Sequence, residues 1–66
     1  PCTVLKEFLV ALGQQERAEE FSIAQLMATA DLPCESEEEL RRLCKKLEED
    51  NQVMYEEEES MVFFLW

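Results

Sequence analysis

The last third of the chain constrains its fold most strongly. Residues 37–50 are rich in charge and carry the apolar periodicity of a helix, which stops at Asn51. Two apolar segments follow, residues 52–55 and 61–66, and four consecutive glutamates lie between them. This connection is too long and too poor in glycine for a two-residue primed turn. The sequence therefore predicts a helix followed by a β-hairpin with an acidic loop.

A first helix is predicted near the start of the chain. Thr3 can act as its N-cap, and Gly13 is expected to end it. Apolar residues recur between them at three- and four-residue spacing and form one stripe: Val4, Leu5, Phe8, Leu9 and Leu12. The polar residues 14–20 predict a connection, after which Phe21 leaves room for a short edge strand.

Two capping-box patterns mark the remaining helices. Ser22 with Gln25 begins a short second helix, which Pro33 is expected to end, and Ser36 with Glu39 begins the third. The second helix is expected to bury Ile23, Leu26, Met27 and Ala30. The third is expected to bury Leu40, Leu43, Cys44 and Leu47. Three helices, a short edge strand and a C-terminal hairpin predict a small α+β winged-helix domain.

A single core is expected to join these elements. The central apolar residue of each stripe is assigned to it: Phe8, Leu26, Leu43, Leu47 and Phe63. With 66 residues, the chain is predicted to form one domain, residues 1–66. Because it begins at Pro1 without Met, we expect it to be the C-terminal fragment of a longer protein.

The composition narrows the classes of function. Sixteen acidic residues against six basic ones give a formal net charge of -10, which repels nucleic acid and anionic membranes and favours basic proteins as partners. There is no His, no Gly-rich phosphate loop and no pairing of a nucleophile with a base, so no catalytic role and no cofactor are predicted. The longest apolar run, residues 61–66, is far shorter than the roughly 20 residues of a membrane-spanning helix.

The cysteines are few and widely spaced. Cys2, Cys34 and Cys44 are odd in number and form no C-x-x-C pattern. They indicate neither a disulfide framework nor a metal site, and they predict a reducing, intracellular compartment.

Two charged clusters and one strand are the candidate binding elements. The acidic turn comprises Glu56, Glu57, Glu58 and Glu59, which could dock a basic partner, bind a hard cation or only solubilise the hairpin. The last strand is apolar on both faces, and one face is assigned to partner binding with the acidic turn: Val62, Phe64 and Trp66. The alternative is that the sheet twists and the chain end packs Trp66 back against the first helix. The basic cluster on the third helix is a weaker candidate for nucleic-acid contact: Arg41, Arg42, Lys45 and Lys46.

The C-terminal half resembles a known family. The run Asp50-Asn51-Gln52-Val53-Met54, an acidic turn and the closing Val62-Phe63-Phe64-Leu65 are similar to the C-terminal winged-helix domain of the third subunit of the eukaryotic minichromosome maintenance (MCM) replicative helicase. Leu40, Leu43 and Leu47 match the pattern of that family's third helix. The chain differs from the family in its longer, more acidic hairpin loop and in ending at Trp66.

The resemblance implies a role in the licensing of DNA replication in the nucleus. It implies a parent that is an ATP-dependent DNA helicase subunit in a hetero-oligomeric ring, and a non-catalytic domain that docks the origin-loading ATPase complex. Two alternatives remain open from the residues themselves. One is a DNA-binding winged helix of a transcription or repair factor, and the other is an acidic peptide-docking winged helix like that of the single-strand binding protein RPA.

Overall fold

A computed structural model describes the backbone of residues 2–66 and the side chains of residues 3–66. Within them, three helices and three strands follow one another: α1 (Cys2–Glu16), β1 (Glu20–Ser22), α2 (Ile23–Met27), α3 (Glu37–Glu49), β2 (Val53–Glu56) and β3 (Met61–Phe64). The three strands form one antiparallel sheet in the order β1-β3-β2. The predicted α+β class is confirmed, and this architecture is compatible with a small winged-helix-like fold.

The predicted limits of α1 are wrong at both ends. The helix begins at Cys2, so Thr3 lies inside its first turn, and it passes through Gly13 to Glu16. Arg17 ends it in the left-handed conformation, with φ of 54°, and the Ala18 N–H donates to the Gly13 carbonyl at 3.0 Å, as in a Schellman motif. This αL residue after the helix was expected to be Gly and is instead Arg17.

Gly13 serves close packing inside α1. A Cβ added to it would lie 3.0 Å from the Phe64 ring and 3.1 Å from the Ala18 carbonyl oxygen. The missing side chain therefore lets the end of β3 approach the helix. A glycine that looked like a helix stop is a packing site.

The helix α2 is only five residues long. Ser22 and Gln25 form the predicted capping box, but the helix ends at Met27, well before Pro33. Ile23 and Leu26 are buried, whereas Met27 and Ala30 are exposed, which contradicts half of the predicted stripe.

The limits of α3 agree with the sequence because both of its ends are set locally. The Ser36 hydroxyl accepts from the Glu39 N–H at 3.1 Å. The Glu39 carboxylate accepts from the Glu35 N–H, and not from the Ser36 N–H as it would in a capping box. After the helix, Asn51 has φ of 59°, and the Gln52 N–H donates to the Leu47 carbonyl at 2.9 Å. Asn tolerates this left-handed position better than most residues.

The core lies between the helices and one face of the sheet. It consists of buried residues from all six elements: Leu5, Leu9, Phe21, Ile23, Leu26, Leu40, Cys44, Leu47, Val53, Tyr55 and Val62. Leu26 and Leu47 are confirmed as core, and Phe8 and Leu43 pack against it half-buried. Val4 is 51% exposed, outside the buried part of its stripe.

Phe63 was assigned to the core, and this prediction is wrong. Val62 lies between Phe21 on β1 and Tyr55 on β2, and all three are buried. Because side chains alternate along a strand, Phe63 points to the opposite face of the sheet, in register with Glu20 and Met54.

Candidate functional site

The acidic turn lies at the tip of the hairpin, where the sequence predicted it. Glu56 is the last residue of β2, and Glu57, Glu58 and Glu59 are the first three of the four residues that connect β2 to β3. All four glutamate side chains are exposed. Ser60 completes the connection with φ of 55°, and its N–H donates to the Glu57 carbonyl at 3.2 Å. The Ser60 carbonyl accepts from the Ile23 N–H at 2.7 Å, which fixes the base of the turn against α2.

Arg41 connects α3 to the hairpin. Its guanidinium donates to the Glu37 carboxylate at 2.9 Å, to the Tyr55 hydroxyl at 3.0 Å and to the Ser60 hydroxyl at 2.8 Å. The hydrogen bonds to Tyr55 and Glu37 raise the pKa of Arg41 further above its ordinary value. One side chain thus holds the helix, β2 and the end of the acidic turn together.

This contact involves one residue of the predicted basic cluster, whose role in nucleic-acid contact stays a prediction. Arg41 was a candidate for nucleic-acid contact, and three of its five guanidinium N–H donors already have partners within the domain, which leaves fewer for a phosphate. Arg42, Lys45 and Lys46 are exposed on α3 and keep accessible charge. Glu37 and Arg41 are four residues apart on α3, the spacing at which opposite charges meet on a helix, and they form a salt bridge.

Glu48 has a role that sequence reasoning missed. Its carboxylate accepts from the Tyr55 N–H at 3.0 Å, on the side of β2 that faces away from β3. The helix dipole disfavours an acid in the last turn of α3, and this unfavourable position was the signal that could have revealed the contact. The carboxylate covers a backbone donor at the edge of the sheet.

The three residues that were predicted to contact a partner, on β3 and at the chain end, differ in their exposure. Val62 is fully buried, so it has no surface to offer a partner, and its assignment to a contact face is wrong. Phe64 is half-buried, tilted against Phe21 at 5.7 Å and stacked on Trp66 at 4.6 Å between ring centroids. Trp66 is 47% exposed, with the Lys6 ammonium 5.8 Å from its ring centroid.

The opposite face of the sheet also presents apolar side chains to the surface. This outer face is formed by side chains of every second residue on β2, on β3 and in the chain after β3, all pointing away from the core: Met54, Met61, Phe63 and Leu65. Met54 is 44% exposed and Leu65 55% exposed, and Met61 and Phe63 are half-buried.

The cysteines and carboxylates form no metal centre in the described part of the chain. Residues 2–66 contain no group of three or more cysteine or carboxylate residues placed to hold an ion. Cys44 is buried, and burial, followed by the charge of Glu39, raises the pKa of the half-buried Cys34 thiol. Across the same residues, the helices are all too short or too polar to cross a bilayer.

Comparisons with protein-family models, with curated proteins and with solved structures found no match to this chain.

Proposed function

We propose that this domain is a winged helix that docks a basic protein surface and does not read nucleic acid. The observation that carries the proposal is the exposure of the whole acidic turn, set against the engagement of Arg41, one of the four residues of the basic cluster, within the domain. All four carboxylates of the acidic turn are exposed at the tip of the hairpin, whereas the guanidinium of Arg41 is held by three partners within the domain. Exposed carboxylates repel phosphate and attract Lys and Arg.

The resemblance of the C-terminal half supports a narrower proposal. Residues 50–54 and the closing hairpin are similar to the C-terminal domain of the third MCM subunit. On this basis the domain belongs to a nuclear helicase subunit that acts in replication licensing. Its partner is the origin-loading ATPase complex, and the domain itself contributes docking without catalysis.

The competing function is DNA binding through α3, which the exposed Arg42, Lys45 and Lys46 favour. Isotopically labelled domain should be titrated separately with duplex DNA and with fragments of candidate loading factors. We expect DNA binding no tighter than ordinary nonspecific values, about 10⁻⁴ to 10⁻⁶ M at physiological salt. Tighter DNA binding that is lost in Arg42→Glu with Lys45→Glu would favour the competing function.

The acidic turn itself is tested by changing its four glutamates to Gln. Association with the partner should slow and its salt dependence should flatten, while the fold stays intact because exposed charges add little stability. A matched control changes four exposed glutamates outside the turn to Gln: Glu7, Glu16, Glu35 and Glu49. Both variants lose four charges, so a slower association in the turn variant alone assigns the effect to the turn. Equal association rates in both variants and the unmodified domain would contradict the proposal.

A further inference from the structure

The outer face of the sheet leaves an apolar patch uncovered by the described residues. Met54 and Phe63 are direct cross-strand neighbours, and Leu65 extends the patch through its N–H bond to the Gln52 carbonyl at 3.1 Å. The opposite face of the same strands is packed against the core. The outer face therefore exposes large apolar side chains that no helix of residues 2–66 covers, and such a patch is typical of an interaction site.

The surroundings of this patch are acidic. Glu20 lies opposite Phe63 on β1, and Glu56 lies opposite Met61 on β2. Both carboxylates are exposed and belong to the same alternation as the apolar residues. The sequence contains no Lys or Arg in residues 18–40 or 47–66, which include all three strands and the acidic turn. The patch thus has carboxylates on both sides and no basic residue in its strands.

The edges of the sheet are partly closed to strand addition. The Ser22 N–H on β1 donates to the Gln25 side chain at 2.8 Å, and the Tyr55 N–H on β2 donates to Glu48 at 3.0 Å. A partner strand would have to displace these acceptors. A partner that covers the face displaces none of them.

We propose that the outer face binds a basic amphipathic helix of a partner protein. Apolar side chains of this helix cover Met54, Phe63 and Leu65, and flanking Lys or Arg residues reach Glu20 and Glu56. A four-residue strand is about 13 Å long, which matches about two and a half turns of helix. If a second copy of this chain bound here through the same face, its Glu20 and Glu56 would repel the Glu20 and Glu56 of the first copy. Charge therefore favours a basic partner over self-association. The inference rests on the proposed function and specifies the chemistry of its partner.

The test uses a synthetic helical peptide with leucines at i, i+3, i+4 and i+7 and lysines on both sides of this stripe. Calorimetry and amide chemical shifts of the labelled domain measure its affinity and its position. We expect Met54→Ser and Phe63→Ser each to weaken binding at least about tenfold, since both remove a central anchor. Val4→Ser, which alters an exposed apolar residue on α1, should leave the affinity unchanged.

Charge is tested separately from apolar contact. Glu20→Gln with Glu56→Gln should weaken binding several-fold and reduce its salt dependence. A control peptide with glutamates in place of the lysines should not bind, and one with the leucines dispersed around the helix should bind at least about tenfold more weakly. Leu65→Ser, at a more exposed position, replaces Phe63→Ser if that variant fails to melt cooperatively.

The possible results separate this inference from the proposed function. If the Ser variants bind normally while the four-Gln acidic turn does not, the outer face is excluded and the acidic turn remains the docking element. If neither set of changes affects a measured complex, both proposals fail. Absence of peptide binding, equal binding of the glutamate peptide, or a dimer in sedimentation experiments that Met54→Ser dissociates would each overturn the outer-face proposal.

Discussion

Val62→Ala should destabilise the domain more than Phe63→Ala, although Val is the smaller of these two adjacent residues. Val62 is fully buried between Phe21 and Tyr55, whereas Phe63 is half-buried on the outer face beside Met54. Sequence analysis alone assigned Phe63 to the core and Val62 to a contact face, and those placements imply the reverse order. The pair therefore tests which face of β3 is packed inside.

The magnitudes follow from burial. Val62→Ala removes two buried methyl groups, worth about 1.6 kcal/mol at about 0.8 kcal/mol each, and the cavity left behind adds about 1 kcal/mol. The expected loss is about 2 to 3 kcal/mol, against a total stability of about 3 to 10 kcal/mol for a chain of this length. Phe63→Ala loses cross-strand contacts at a partly solvated position, for which about 0.5 to 1.5 kcal/mol is expected.

Urea unfolding provides the assay. Far-ultraviolet circular dichroism reports the helices, and the single Trp, which stacks on Phe64, reports the packing of the chain end. Coincident transitions from the two signals would justify a two-state free energy. Thermal midpoints should fall by about 10 to 20 °C for Val62→Ala and by less than about 10 °C for Phe63→Ala. A larger loss for Phe63→Ala than for Val62→Ala would refute the assignment of the two faces.

Further predictions concern the helix ends and the cysteines. Ala has the better helix propensity, but in Gly13→Ala the new Cβ would lie 3.0 Å from the Phe64 ring, so the thermal midpoint should fall or stay unchanged. A stabilisation of about 1 kcal/mol would contradict this packing. Arg17 and Asn51 both have positive φ, so Arg17→Gly should raise stability by about 0.5 to 1 kcal/mol and Asn51→Ala should lower it. Circular dichroism melts in which Arg17→Gly lowers stability and Asn51→Ala raises it would exclude the assigned helix ends. Burial raises the pKa of the Cys34 thiol, so the folded state disfavours its thiolate. The resulting contribution to stability is fully present below the pKa of the unfolded thiol and is lost as pH rises from that value through the raised pKa of the folded state. Alkylation of Cys34 near neutral pH, followed by mass spectrometry, should accordingly be slower than that of a cysteine in an unstructured peptide, and an equal or faster rate would contradict the raised pKa.

The sequence predicted the elements whose limits depend on local chemistry. Ser36 begins α3 by accepting a backbone N–H, and Asn51 ends it in a left-handed conformation that Asn tolerates. The capping box of Ser22 and Gln25 begins α2 for the same reason. These signals act over three or four residues, so they can be read without knowledge of the tertiary structure. The acidic turn, set between two apolar segments, belongs to this class as well.

The tertiary structure alone decided which face of β3 is buried and which charges are accessible. Residues 61–66 are apolar at every position, so alternation could not distinguish Val62 from Phe63. Pairing with both β1 and β2 fixed the register and turned Val62 inward. The sequence likewise did not distinguish Arg41 from the exposed basic residues of α3, because its partners Tyr55 and Ser60 are 14 and 19 residues away in the chain. Contacts over such distances depend on how the elements pack, and a local pattern of residue types does not contain that information.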